Sequence, residues 1–117
     1  MIEEKPEIVQ AVVDATLRGW QWALENPEEA AALVVARNSE LDVESQVVQI
    51  RAMGDMFCDG PTLEGKFGMS EMADFEVSQT VLLEAGLIDA PIDLSEAFTN
   101  AFWEKAPEAY KTLPCGG

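Results

Sequence analysis

The chain contains no histidine, and that absence removes more chemistry than any other feature of its composition. Histidine is the commonest general base, nucleophile activator and metal ligand near neutral pH. Ser-His-Asp and Cys-His constellations are therefore impossible within one chain. Cations are scarce as well: 7 Lys and Arg stand against 22 Asp and Glu, a formal net charge of −15. Phosphate backbones are bound by clustered Lys and Arg, which excludes nucleic acid as a partner. Anionic membrane surfaces are disfavoured for the same reason. Long apolar runs are missing too, since stretches such as Ala30 to Ala36 are far too short to cross a bilayer.

Cysteine is represented only by Cys58 and Cys115. Neither has a second Cys or a His at ligand spacing, so neither a metal site nor a cofactor is expected. Cys58 follows Met56-Phe57 at an apolar helix end and reads as a small core residue. Cys115 lies in a Pro-Cys-Gly-Gly tail and reads as exposed and frayed. A disulfide between them is permitted by the sequence but not required by it. Paired carboxylates are numerous, yet none is flanked by residues that would bury it, and no catalytic role is expected of them. The chain is not expected to be an enzyme.

What remains is a chain of 117 residues, 48% apolar and 25% charged, which suits one soluble globular domain and excludes disorder. Its periodicity is helical throughout. Val9, Val13, Thr16, Leu17, Trp20 and Leu24 share one face of a first helix from about Pro6 to Glu25. Trp22 points elsewhere, with Ala11, Ala15 and Gly19, and Gly19 would permit a close helix approach. A second helix runs from about Pro27 to Ala36, with Asn26 as its candidate cap and Glu28 and Glu29 complementing its positive end. Ser39 or Asp42 offers a cap for a third helix, whose inner stripe is Val43, Val47, Ile50, Gly54 and Phe57. Asp59-Gly60-Pro61 stops it, and Thr62 to Gly68 reads as loop. Ser70 can cap a fourth helix with Met72, Phe75, Leu82 and Leu83 inside, closed by Gly86 in a left-handed conformation followed by Leu87. Asp93 to Glu96 fits a capping box for a last helix that presents Leu94, Phe98, Ala101 and Phe102 and ends at Pro107. No segment alternates long enough to be a strand. The expectation is an all-α fold of about five helices in a bundle or array. Residues 1–107 form the single helical domain, and 108–117 a loosely ordered tail.

The run Thr16-Leu17-Arg18-Gly19-Trp20 followed by Asn26-Pro27-Glu28-Glu29-Ala30 adds a resemblance. It is similar to the C-terminal region of periplasmic substrate-binding proteins of ABC importers, of the thiamine-pyrimidine-precursor and nitrate/sulfonate/taurine type. The likeness continues through Glu84-Ala85-Gly86-Leu87-Ile88 and Phe98-Thr99-Asn100-Ala101-Phe102. It implies the C-terminal helical part of a type II periplasmic binding protein, whose full-length members are longer and hold a ligand between two α/β lobes. The implied function is a fragment, or a small stand-alone relative, of a solute-binding protein that binds a small organic molecule or has lost that binding. An ABC permease would be a partner only as part of a longer chain. The other reading is a stand-alone helical oligomerisation or interaction module. The cysteine-rich iron-binding motif of the pyrimidine-biosynthesis branch is not matched, because Cys58 stands alone.

Met1-Ile2-Glu3-Glu4-Lys5-Pro6 lacks the basic start and apolar core of a secretory signal, so the chain as encoded is expected in the cytoplasm. As a fragment of a longer exported chain it would be periplasmic. Gly60 to Ser70 has a superficial likeness to a phosphate loop but lacks Ser or Thr after Lys66 and a preceding strand, and reads as a connection. In the resembling family the comparable segment carries a Gly-hydrophobic-Gly-aromatic pattern. Met69 stands here where an aromatic is frequent. The candidate ligand or partner contacts are Trp20, Trp22, Phe67, Met69 and Trp103, with aromatics at helical spacing serving more often as core. Helices that would pack against a lobe leave an apolar face, and a homo-oligomer, most simply a dimer, would cover it.

Overall fold

Proline at the first helical position opens each of the two N-terminal helices, α1 (Pro6–Glu25) and α2 (Pro27–Arg37). In the computed structural model, which describes residues 1–116, three further α-helices follow: α3 (Val43–Phe57), α4 (Met72–Glu84) and the short α5 (Ala101–Lys105). Single 3-10 turns occupy Gly60–Glu64, Leu94–Glu96 and Glu108–Tyr110, and there is no strand among the described residues. Gly117, the last residue of the expected tail, lies outside them. The all-α expectation of five helices holds.

The caps differ from the reading in two places. Asn26 does not cap α2 with its side chain. Its Nδ2 donates to the Trp22 carbonyl at 3.0 Å and its backbone N–H to the same oxygen at 2.9 Å, so it finishes α1 instead. Ser70 does not cap α4. Its backbone is taken by Asn100, whose Oδ1 accepts the Ser70 N–H at 3.0 Å while its Nδ2 donates to the Ser70 carbonyl at 2.8 Å. Of Ser39 and Asp42, Asp42 caps α3, accepting the Ser45 N–H at 2.8 Å. That hydrogen bonding holds the Asp42 carboxyl below its ordinary pKa. Gly86 closes α4 at φ +67°, with its N–H bonded to Leu83 and that of Leu87 to Leu82, the expected left-handed end.

Packing begins with the antiparallel pair α2 and α3. Ala30 and Ala31 are buried, small enough to let the two helices approach, and Arg51 meets Glu28 across them at 2.6 Å. Both partners of that pair are exposed, so it contributes little. Gly54 of α3 lies against α1, where a Cβ would stand 2.9 Å from Leu24 Cδ2. Gly19, by contrast, faces open space and mediates no close approach. The remainder of α1 packs on α5 and on the 3-10 turn at Glu108–Tyr110. α4 stands apart: its main neighbour is the turn at Leu94–Glu96, and no residue in it is buried. Met72 and Leu82, expected inside, are 41% and 38% exposed, while Phe75 stacks on Phe98 with centroids 4.2 Å apart.

The expected last helix is broken. Asp93 accepts from both the backbone N–H and the hydroxyl of Ser95, making a local turn in place of a capping box. Thr99 accepts the Ala101 N–H and Asn100 is committed to Ser70, so regular structure resumes only at Ala101. It ends before Pro107, which forces Ala106 into an extended conformation at ψ 148°.

The core is small. Leu17, Phe67, Ala106 and Leu113 form it, with Trp20, Phe57 and Trp103 among the half-buried residues against it. Leu113 belongs to the segment expected to be loosely ordered. That segment is held by its 3-10 turn, by Gln21, whose Nε2 donates to the carbonyls of Ala109 (2.9 Å) and Thr112 (2.8 Å), and by a Cys58–Cys115 disulfide. Cys58 is thus not a free core thiol, and Cys115 is not frayed.

Gly68 is the tightest point in this arrangement. Its φ is +82°, and a Cβ there would fall 2.6 Å from Leu17 Cδ2. Gly68→Ala should lower stability by about 2 kcal/mol or more, through the left-handed backbone and the collision with Leu17. Gly19→Ala should raise it by several tenths of a kcal/mol, up to about 1, as a helical glycine in open space. Urea unfolding followed by circular dichroism reads both shifts.

Candidate functional site

The apolar stripe of α1 is not fully covered by the bundle. Val9, Val13, Thr16, Leu17 and Trp20 form one side of a groove of about 550 Å³. Phe57 from α3, Phe67 and Gly68 from the segment before α4, and Phe102 and Trp103 from α5 supply the other sides. Ring-to-ring contacts order this lining. Trp20 meets Phe57 edge-on at 5.0 Å, and Phe57 meets Phe67 at 5.3 Å. The polar side chains on the groove are Thr16, Ser70, Thr99 and Asn100, and no charged residue is among those lining it. A neutral, apolar cleft with few polar groups is a common form for a small-molecule site.

Its aromatic walls are fixed from behind. The Trp103 Nε1–H donates to the Phe67 carbonyl at 2.7 Å, and the Phe67 N–H donates to the Lys111 carbonyl at 2.9 Å. The Lys111 ammonium lies 4.3 Å from the Trp103 ring centroid and is 2% exposed. It donates to Glu108 Oε1 at 2.7 Å and to the Glu104 carbonyl at 3.3 Å. A buried ammonium needs such partners, because desolvation without them costs several kcal/mol. Gln10 ties α1 to α5 by donating to the Phe102 carbonyl at 2.9 Å and to Asp14 at 2.8 Å, leaving its buried Oε1 without a partner.

Of the residues singled out from sequence, Trp20, Phe67 and Trp103 come together on this groove. Met69 does not. It borders an adjoining depression of about 340 Å³, beside Met56, Lys66, Glu71 and Asp74, on the other side of Phe57, Phe67 and Gly68. Trp22 lines neither cavity and is 38% exposed. Phe57 and Phe102 were read from sequence only as inner-stripe residues, and the helical spacing that marked them as core also aims them at the groove. The segment with a superficial likeness to a phosphate loop has its lysine engaged: Lys66 donates to Glu64 at 2.8 Å, which lowers the Glu64 carboxyl and raises the Lys66 amine. Among the described residues, no three His, Cys, Asp or Glu side chains gather as a metal cage, and no helix is long and apolar enough to cross a membrane.

Comparison with known proteins supports the resemblance carried by the first two helices. Residues 1–30 match the NMT1/THI5 like family model. Over 107 residues the chain is 31% identical to the riboflavin-binding protein RibY of Chloroflexus aurantiacus, an alignment covering 87% of this chain and 30% of that protein. The chain thus spans less than a third of the length of this curated relative. No solved structure matches it. These likenesses support a fragment or a relative of an ABC-type solute-binding protein.

The Lys111 contacts generate a prediction about the walls. Lys111→Ala removes both the cation and the packed stem and should cost about 2–3 kcal/mol. Lys111→Met keeps the volume and leaves the exposed Glu108 carboxylate and the Glu104 carbonyl without this donor, so its cost should stay below that of Lys111→Ala, at about 1 kcal/mol. Thermal unfolding of the two variants side by side tests this order.

Proposed function

We propose that this chain serves solute import as part of, or as a small relative of, an ABC-importer solute-binding protein, and that its groove holds a small, flat, uncharged organic molecule. The observation carrying this reading is the convergence of Trp20, Phe67 and Trp103, from three separate segments, on one groove of about 550 Å³. Such a volume lies within the range of about 300–1,000 Å³ usual for ligand sites. Aromatic faces favour a planar ring system. The Thr16 and Thr99 hydroxyls and the Asn100 amide suit a polar substituent. The net charge of −15 disfavours anionic solutes. Riboflavin, named as the ligand of the Chloroflexus relative, has this chemistry: a planar isoalloxazine bearing a polyhydroxyl chain. The reading is one of binding and requires no catalytic step. An ABC permease would be the partner of the longer protein. A disulfide persists in oxidising surroundings, which favours the periplasmic setting over the cytoplasmic one.

Titration of riboflavin with the chain should quench flavin fluorescence saturably at one site. Trp20→Ala and Trp103→Ala should each weaken binding by roughly fivefold, about 1 kcal/mol, as one stacked ring is lost. Trp22→Ala should leave it unchanged. A flat, non-saturating titration would overturn the flavin reading.

Self-association is a second reading, favoured by exposed Ile8 and Trp22 on α1 and Leu33 and Val34 on α2. Burial of such a face is worth roughly 25 cal/mol per Å², and a symmetric dimer would supply it. Because acidity opposes association, higher salt should tighten it. Light scattering over a concentration series at two ionic strengths should show mass rising toward a dimer, and a monomer at high concentration and high salt would sink this reading.

A further inference from the structure

We propose that the Cys58–Cys115 disulfide is a redox latch on the groove: oxidised, it holds the C-terminal segment that sets the aromatic walls, and reduced, it releases them. The proposal rests on the groove being a ligand site, and it adds a means of regulating that site.

Two of the groove's aromatic residues, Phe67 and Trp103, are held by this segment, and a third, Phe57, adjoins its anchor. Phe57 immediately precedes Cys58 at the end of α3. Phe67 is held by its N–H bond to the Lys111 carbonyl. Trp103 has the Lys111 ammonium against its ring. Lys111 stands four residues before Cys115, and Leu113, between them, fills the core beside Leu17 and Phe67. The bridge joins positions 57 apart in sequence, so it is the covalent tie between the end of α3 and a segment otherwise attached by the Phe67–Lys111 backbone hydrogen bond, side-chain contacts and the Gln21 amide. The helical hydrogen bonds of α1 to α4, in contrast, lie within those helices and do not pass through the tail. Opening the bridge therefore loosens residues 107–116 and the walls they support, while the four helices persist.

Both cysteines are partly exposed, which gives a reductant access to sulfur. The reductant required is a dithiol. One of its thiolates attacks a protein sulfur, forming a mixed disulfide and freeing the other cysteine. Its second thiol then displaces the remaining cysteine. Two electrons and two protons pass to Cys58 and Cys115, which become thiols, and the dithiol leaves as its own disulfide. Ligand affinity falls because the walls are no longer preorganised.

The test uses the whole chain carrying Trp22→Phe, so that tryptophan emission reports Trp20 and Trp103 alone, before and after treatment with dithiothreitol, with free thiols counted by alkylation. On reduction we expect retained α-helical circular dichroism, red-shifted emission, faster amide exchange in residues 107–116, and riboflavin affinity lower by about tenfold or more. Cys115→Ser should show the reduced behaviour with or without dithiothreitol. Emission and exchange that respond while riboflavin binds neither form would uphold the latch and defeat the flavin reading. Unchanged emission and tail exchange with both thiols free would overturn the latch. So would loss of helical signal on reduction, which would make the bridge a support of the whole fold.

Discussion

A lysine ammonium buried beneath an indole is the constraint around which the rest of this small fold is arranged. Charge is tolerated there only because Lys111 has three compensations: the Glu108 carboxylate, the Glu104 carbonyl and the π face of Trp103. Each fixes something else. The first closes the tail turn on itself, and the second draws that turn back onto the end of α5. The third pins the Trp103 ring, whose N–H in turn fixes the Phe67 carbonyl at 2.7 Å. Phe67 then returns a hydrogen bond to the Lys111 backbone, closing a circuit between residues far apart in sequence. Within that circuit position 68 favours glycine, since its φ is +82° and a Cβ would stand 2.6 Å from Leu17 Cδ2.

Much of the fold was legible because helices announce themselves locally. The 3.6-residue stripe of α1, the Pro27 start of α2, the Asp42 cap and the Gly86 terminus depend on residues within one or two turns of each other. Misreadings fell where a side chain had a distant competitor. Asn100 spends its amide on Ser70, thirty residues earlier, which takes Ser70 away as a cap and helps interrupt the last helix. The tail reads as loose because Pro, Cys and Gly are common in frayed ends. Its anchors, Gln21 and Cys58, lie far upstream and leave no periodic trace. The same holds for the site. Aromatic residue type was enough to nominate Trp20, Phe67 and Trp103. Sorting them from Trp22 and Met69 required the pairing of α1 with α5, which is a tertiary fact.

The distribution of apolar surface gives this site its setting. The fold buries few large side chains, while α4 leaves Met72, Val77, Val81 and Leu82 facing solvent. Surface of that kind is ordinarily covered in monomeric proteins. The alignment with the Chloroflexus relative reaches less than a third of that protein's length. The groove differs from the α4 surface in kind: its lining comes from several elements that hold one another in place, whereas α4 rests chiefly on its own return turn.

Charge separates the two surfaces further. The acidic residues of the ion pairs at Glu28, Glu64 and Glu108 are all solvent-facing, and none of the 22 carboxylates lines the groove. Water screens the exposed carboxylates, so they add solubility without imposing a strong local field inside the cleft. The groove is therefore neutral, and the nearby ammonium of Lys111 offers it no free cation, being buried and already paired. The buried lysine thus acts on the groove through the position it gives Trp103, and the neutral aromatic lining follows from the same arrangement that closes the fold.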